Sequence, residues 1–339
     1  MRILVAGGAG FIGSNFIRYI LGVHGDWSVV NVDKLTYAGN LANLADLAGD
    51  PRYGFHRADI CDAAEVSRII SEEKPEAVVN FAAETHVDRS IEDPALFLRT
   101  NILGTQVLLD AARKFGVARY LQISTDEVYG SLGSEGRFSE ESSLKPNSPY
   151  AASKTSADLL VRAYGKTFGL PVLVTRCSNN YGPYQFPEKL IPFFVTLLRE
   201  GKPVPVYGDG MNVRDWIHVD DHSRAVDAVL QRGRPGEIYN VGGGNERTNI
   251  EITKLLIAAM GKDGKSMKFV PDRPGHDRRY AIDDAKIRAE LGVVPRVPFE
   301  EGLRDTVRWY IDNEPWWRAV RSGEYLSFYD RWYVRKDRA

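Results

Sequence analysis

Cysteine is almost missing from this chain: Cys61 and Cys177 stand far apart, and neither has a CxxC partner. That pattern argues against a disulfide framework or a zinc ribbon and fits a reducing cytoplasm. Six histidines occur, none in HExxH spacing, and no metal site is expected. Long apolar runs are missing too; none approaches the roughly 20 residues of a membrane span. Neither charge dominates: 44 Lys and Arg meet 45 Asp and Glu, for a net of -1. No basic surface for nucleic acid and no charged tail is expected. Glycine- and serine-rich linkers, internal repeats and low-complexity segments are absent as well. A strand-like run starts at Arg2, leaving no room ahead of it for a signal or transit peptide.

What the chain does have is alternation. Short apolar, β-branched runs at 2–6, 28–32, 55–58, 77–81, 119–123 and 172–176 predict strands. Helical periodicity lies between them at 11–21, 63–73, 95–115 and 150–168. This order predicts an α/β fold, a doubly wound parallel sheet of the Rossmann type. The run Ala77-Val78-Val79-Asn80-Phe81 is apolar on both faces, as a strand covered by helices on both sides must be. After about residue 180 prolines punctuate shorter elements, with helices expected at 220–231 and 249–260. Residues 1–180 are read as a cofactor-binding domain. Residues 181–339 are read mainly as a smaller C-terminal substrate-binding lobe, with some segments returning to the sheet.

The first strand runs into Gly7-Gly8-Ala9-Gly10-Phe11-Ile12-Gly13, followed by a helix. Glycines there allow a tight turn and close approach to a pyrophosphate, and the helix N-terminus offers free N–H groups. Asp33 ends the next strand, about 20 residues beyond Gly13. A carboxylate there accepts hydrogen bonds from ribose hydroxyls and repels a 2′-phosphate, so NAD is expected as cofactor; Lys34 tempers the preference slightly. Asp59 and Ile60 follow the third strand and are placed to reach the adenine. Ala82 and Ala83 follow the fourth, where the cofactor would cross the sheet edge.

Asn147-Ser148-Pro149 suits a helix start, and Tyr150 and Lys154 then share one face of the helix. A phenol has a pKa of about 10. A neighbouring ammonium favours its phenolate, which makes the pair a candidate base for a hydroxyl proton. Ser124-Thr125 ends the fifth strand, at the sheet edge where such folds bind ligands. The glycine turn with the Thr125/Tyr150/Lys154 trio resembles the extended branch of the short-chain dehydrogenases/reductases.

Thr125-Asp126-Glu127-Val128-Tyr129-Gly130 narrows the resemblance. Two adjacent acids at a strand end are costly unless solvated, paired or used. Like charges side by side raise one pKa, which supplies one protonated and one ionised carboxyl. Neighbours in a regular strand point to opposite faces, so both acids reach one ligand only if the chain leaves β geometry at Thr125. This string is similar to that of the dTDP-glucose 4,6-dehydratase family.

That resemblance covers nearly the whole chain. It implies dTDP-glucose as substrate, Asp126 as acid at the C6 hydroxyl and Glu127 as base at C5. It also implies Tyr150 as base at C4, with Lys154 and Thr125 supporting it. The same carry-over places Asp33, Lys34, Leu35 and Thr36 on the adenosine ribose and Ala82, Ala83 and Thr85 beside the nicotinamide. Thr100 and Asn180 become further cofactor contacts.

Asn179 follows the sixth strand at the ligand edge, and Lys189-Leu190 opens a helix where a basic head meets phosphate well. Arg214, Arg273 and His276 stand in Pro/Gly-rich loops, where a guanidinium can grip a diphosphate. The resemblance adds Pro205, Val206, Tyr207 and Asn249 to the nucleotide-sugar contacts, with Thr85 and Thr125. His218 and His222 are read as capping a helix near Asp220, and Trp309, Trp316 and Trp317 as packing. The family implies a homodimer, for which the helices at 95–115 and 150–168 are the candidates. A 4-epimerase on the same scaffold would not need both acids, and a non-catalytic NAD-binding regulator would not need Tyr150 and Lys154.

Overall fold

The computed structural model describes residues 1–272 and 274–321. The first half supplies β1 (Arg2–Ala6), β2 (Ser28–Asp33), β3 (Tyr53–Arg57), β4 (Ala77–Asn80), β5 (Arg119–Thr125) and β6 (Val172–Cys177). The strands β7 (Asn179–Tyr181), β8 (Val204–Tyr207) and β9 (Val213–His218) leave the main sheet, and β10 (Ile238–Val241) returns to it. Two short strands follow, β11 (Glu246–Thr248) and β12 (Met267–Val270).

The seven-stranded sheet has the order β10-β6-β5-β4-β1-β2-β3, with every neighbouring pair parallel. The expected doubly wound parallel sheet is therefore present. Its winding reverses between β1 and β4, which opens a crevice beyond the carboxyl ends of those strands. β10 was not among the expected strands, because its four residues include Asn240, a poor strand former.

Helices cover both faces. They begin with α1 (Phe11–Val23), α2 (Ala63–Glu73), α3 (Val87–Glu92), α4 (Pro94–Phe97), α5 (Gly104–Lys114) and α6 (Pro149–Phe168). The second half adds α7 (Leu190–Arg199), α8 (Val219–Arg232), α9 (Asn249–Ala259), α10 (Ala285–Leu291), α11 (Phe299–Asp312) and α12 (Glu314–Val320). Strand alternation divides the core. Ile3 and Val5 pack with Phe16, Ile17, Val226 and Val229 on one face, while Leu4 and Ala6 meet Ile69, Leu108, Ala112 and Val161 on the other. Each fully buried Val, Leu, Ile or Phe side chain among these contributes roughly 1.5–3 kcal/mol. A third cluster holds the second half together around Tyr181, Phe194, Trp216, Leu256, Phe299 and Trp317, with Trp309 and Trp316 packed against it.

The single helix expected over 95–115 is in fact broken. A π-helical stretch, Leu98–Leu103, separates α4 from α5. The wide turn coincides with Asn101, whose buried side chain accepts from Glu84 N at 2.8 Å and donates to Ser153 Oγ at 2.8 Å. Such bulges frequently sit at functional sites. Ser148 caps α6 by accepting from Ala151 N, Pro149 takes the first turn, and Gly169 ends the helix in the left-handed region.

Candidate active site

Backbone alone builds the turn after β1. A Cβ on Gly7 would come within 2.5 Å of Ala82 N, and one on Gly13 within 2.4 Å of Gly7 O. Gly10 sits at the N-cap of α1. Asp33 lies beside this turn, its Oδ2 accepting from Ala9 N at 2.9 Å and its Oδ1 from Leu35 N at 2.8 Å. Burial raises the Asp33 pKa, and those two amides hold it down. Lys34 Nζ pairs with Asp59 Oδ2 at 2.7 Å, so the basic side chain next to Asp33 is engaged. Glycine cradle, helix start and carboxylate together suit a dinucleotide with two free ribose hydroxyls.

A cavity of about 280 Å³ runs from this turn across the sheet edge. Gly7, Gly10, Phe11, Ile12, Gly13, Asp33, Lys34, Thr36, Asp59 and Ile60 line one end. Ala82, Ala83, Thr85 and Thr100 line its middle, and Thr125, Asp126, Glu127, Tyr150, Lys154, Asn179, Asn180 and Lys189 the remainder. Leu35 does not line it; its N–H serves Asp33.

β5 ends at Thr125, and a 3-10 turn, Asp126–Tyr129, starts there with the Thr125 hydroxyl as its cap. Thr125 Oγ1 accepts from Glu127 N at 3.3 Å and donates to Asp126 Oδ1 at 3.3 Å. The chain thus leaves β geometry where two neighbouring acids need it to, and both line one cavity. Burial raises the Asp126 pKa well above the carboxylate range, and the charges of Glu127 and Asp215 add to it. Arg214 and the Thr125 hydroxyl pull it back in part.

Tyr150 and Lys154 share one face of α6, and the phenol's pKa is raised well above its ordinary value. Burial raises it first, then the charge of Glu127, while the Thr125 hydroxyl lowers it. Lys154 donates to Ile123 O at 2.7 Å, and burial lowers its own pKa.

The lobe residues divide. Lys189 sits at the N-cap position of α7 and donates to Thr85 O at 2.7 Å, inside the cavity. Leu190, Pro205, Val206, Tyr207, Arg214, Asn249 and His276 lie outside its lining, and Arg273 lies outside the described residues. Arg214 packs its guanidinium 4.3 Å from the Tyr280 ring and donates to Asp277 O at 3.0 Å. Tyr207 donates to Asp88 Oδ2 at 3.3 Å and meets the His276 ring edge-on. Asn249 starts α9, its N–H bonded to Asn212 O at 2.9 Å. His218 caps α8 by accepting from Asp220 N, as expected, whereas His222 turns inward to Asn180 Oδ1 at 2.9 Å.

Several cavity residues escaped the sequence reading. Gln185 donates to Asn180 O at 2.9 Å, and Glu84 is clamped by Asn101. Glu188 is buried near Arg89 and Tyr37, with its pKa pushed up to about 7 by desolvation. Only its place before Lys189 could have flagged it.

Residues 4–306 match the GDP-mannose 4,6 dehydratase family. The chain is 52% identical to dTDP-glucose 4,6-dehydratase of Neisseria meningitidis serogroup B, covering 96% of this chain and 97% of that one. It is 55% identical to the enzyme of that name from Streptomyces griseus, over 94% of this chain and 97% of that one. The crystal structure of dTDP-glucose 4,6-dehydratase from Streptomyces venezuelae, with NAD bound, superposes with a TM-score of 0.92. It is 54% identical, over 94% of this chain and all (100%) of that one. A UDP-glucose 4-epimerase from Thermotoga maritima is more distant, with a TM-score of 0.86 and 33% identity over 93% of this chain and 100% of that one. The chain belongs to the GDP-mannose 4,6 dehydratase family, and within it stands with the dTDP-glucose 4,6-dehydratases.

Proposed function

We propose that this protein converts dTDP-glucose to dTDP-4-keto-6-deoxyglucose, as a hydro-lyase of deoxysugar biosynthesis that uses NAD without consuming it. The observation that carries the reading is the turn at Thr125, which brings Asp126 and Glu127 to the same cavity as Tyr150 and Lys154. An epimerase would not need both acids.

When bound, NAD would supply the redox chemistry, a hydride taken up from C4 of the sugar and given back at C6. The Gly7–Gly13 turn would hold its pyrophosphate, Asp33 its adenosine ribose and Lys154 its nicotinamide ribose. Tyr150 takes the C4 hydroxyl proton, with the Thr125 hydroxyl favouring the phenolate. The C4 ketone makes the C5 proton acidic; Glu127 removes it and, as hydride reaches C6, returns a proton to C5. Asp126, kept protonated by burial and by its acidic neighbours, donates to the departing C6 hydroxyl, which leaves as water.

Residues 1–180 act as the NAD-binding part and 181–339 mainly as the nucleotide-sugar lobe. Lys189 and Arg214, with Arg273 and His276, grip the diphosphate. We place the reaction in the cytoplasm, where free Cys61 and Cys177 stay reduced. Among the described residues no helix is long and apolar enough to cross a membrane. The working form is a homodimer formed through α4, α5 and α6, where Leu96 of α4, Leu103 at the end of the π-helical stretch and Leu159 of α6 are 39%, 55% and 52% exposed. Incubation of the purified protein with dTDP-glucose alone, read by mass spectrometry, tests the function. Loss of one water is expected. An unchanged mass with an inverted sugar would favour the epimerase.

A further inference from the structure

Beneath the cavity a buried polar chain links the two halves of this chemistry, and the dehydratase reading above is its premise. Tyr150, Lys154 and Asp158 follow one another at one-turn intervals on α6. Arg176 of β6 donates from Nε to Asp158 Oδ2 at 3.0 Å and from Nη1 to the Tyr129 hydroxyl at 3.0 Å. The Tyr129 hydroxyl in turn donates to Asn240 Oδ1 at 2.8 Å, on β10. Asn240 is anchored by donating to Phe138 O at 3.0 Å. The side chains of Arg176 and Asp158 are 3% and 1% exposed, and Tyr129 and Asn240 are 1% and 0% exposed. Tyr129 closes the turn that begins with Asp126 and Glu127.

A buried ion pair adds little net stability, since well-packed apolar residues would serve a core as well or better. What this one does is geometrical. It joins the helix carrying Tyr150 and Lys154 to the turn carrying Asp126 and Glu127 through groups of fixed length and direction. The Arg176 fork is planar, so its two bonds set the distance between Asp158 and Tyr129. Lys154 is tied separately to β5 through Ile123 O. We infer that Asp158, Arg176 and Tyr129 are positioning residues that hold the elimination acids in register with the oxidation pair, so that one bound sugar presents C4 to Tyr150 and C5 and C6 to Glu127 and Asp126.

Tyr129→Phe tests this. It keeps the ring, stacked on Phe138 at 5.0 Å, and removes both hydroxyl bonds. Oxidation at C4 uses α6, Thr125 and the bound cofactor, none of which the Tyr129 hydroxyl touches, and keeps its rate. Water loss slows, by up to roughly 100-fold for a misplacement near 1 Å. Reduced nicotinamide therefore builds up in stopped-flow absorbance on mixing with dTDP-glucose, while KM is unchanged. Arg176→Lys, which keeps the charge and loses the fork, should show the same split, and it serves if Tyr129→Phe does not fold. Equal slowing of both steps in a folded variant, or wild-type rates for both, overturns the inference. A wild-type protein that releases no dehydrated sugar instead sinks the dehydratase reading, and this inference with it.

Discussion

Asp126 is a buried carboxyl beside a second one, and its chemistry follows from that placement. Burial and the nearby charges of Glu127 and Asp215 keep it protonated where an exposed aspartate would be ionised. Asp126→Asn should leave cofactor binding and C4 oxidation intact and slow water loss by about 10²–10⁴-fold, the usual worth of a positioned acid. Chemical quench with mass detection reads this directly, and a variant as fast as wild type would remove the assigned role. The acid form is the active one, so water loss in the wild type should decline as pH rises through the raised Asp126 pKa. These residues were legible because they stand together in short strings. Asp158, Arg176 and Glu188 were not, since each is an ordinary charged residue in sequence and acquires meaning only from side chains far along the chain.

Among the elements, α8 and β7 are joined by a histidine that burial keeps neutral. His222 lies against Asn180 Oδ1 at 2.9 Å, and desolvation pushes its pKa down to about 4 from an ordinary 6.5. An unfolded chain protonates this histidine below pH 6.5 and the folded chain resists until about pH 4. The unfolded state binds more protons in that window, so stability falls as pH drops through it. His222→Gln should flatten this acid-side loss, as measured by melting temperature across the same range; an unchanged pH dependence would contradict it. Element positions were mostly readable. The phases of β1 to β6 and the caps of α6 follow local rules, which is why the predicted bounds of the six strands lie within a few residues of the observed ones. The break at Leu98–Leu103 was not readable, because it coincides with Asn101 reaching across to Glu84 and Ser153, a contact no periodicity records.

At the scale of the whole molecule the exposed leucines bear on assembly. Leu103, just before α5, and Leu159 of α6 place apolar surface at solvent, at positions where a soluble helix usually carries polar residues. The proposed dimer predicts that the wild type sediments as a dimer and Leu159→Glu as a monomer in sedimentation velocity; a wild-type monomer at micromolar concentration would remove the dimer altogether.

Alternation of strand and helix was enough to specify a parallel sheet, since each crossover buries its apolar stripe in only one way. The glycine turn, Asp33, the acid pair and Tyr150 with Lys154 were likewise legible in the sequence, because each follows from a short string or a fixed place at a strand end. Only the tertiary structure decided that β10 closes the sheet edge, that Lys34 answers Asp59, and that burial drives Tyr150 up while Lys154 turns to Ile123. Those outcomes depend on desolvation and on partners distant in sequence, and neither exists until the chain has folded around them.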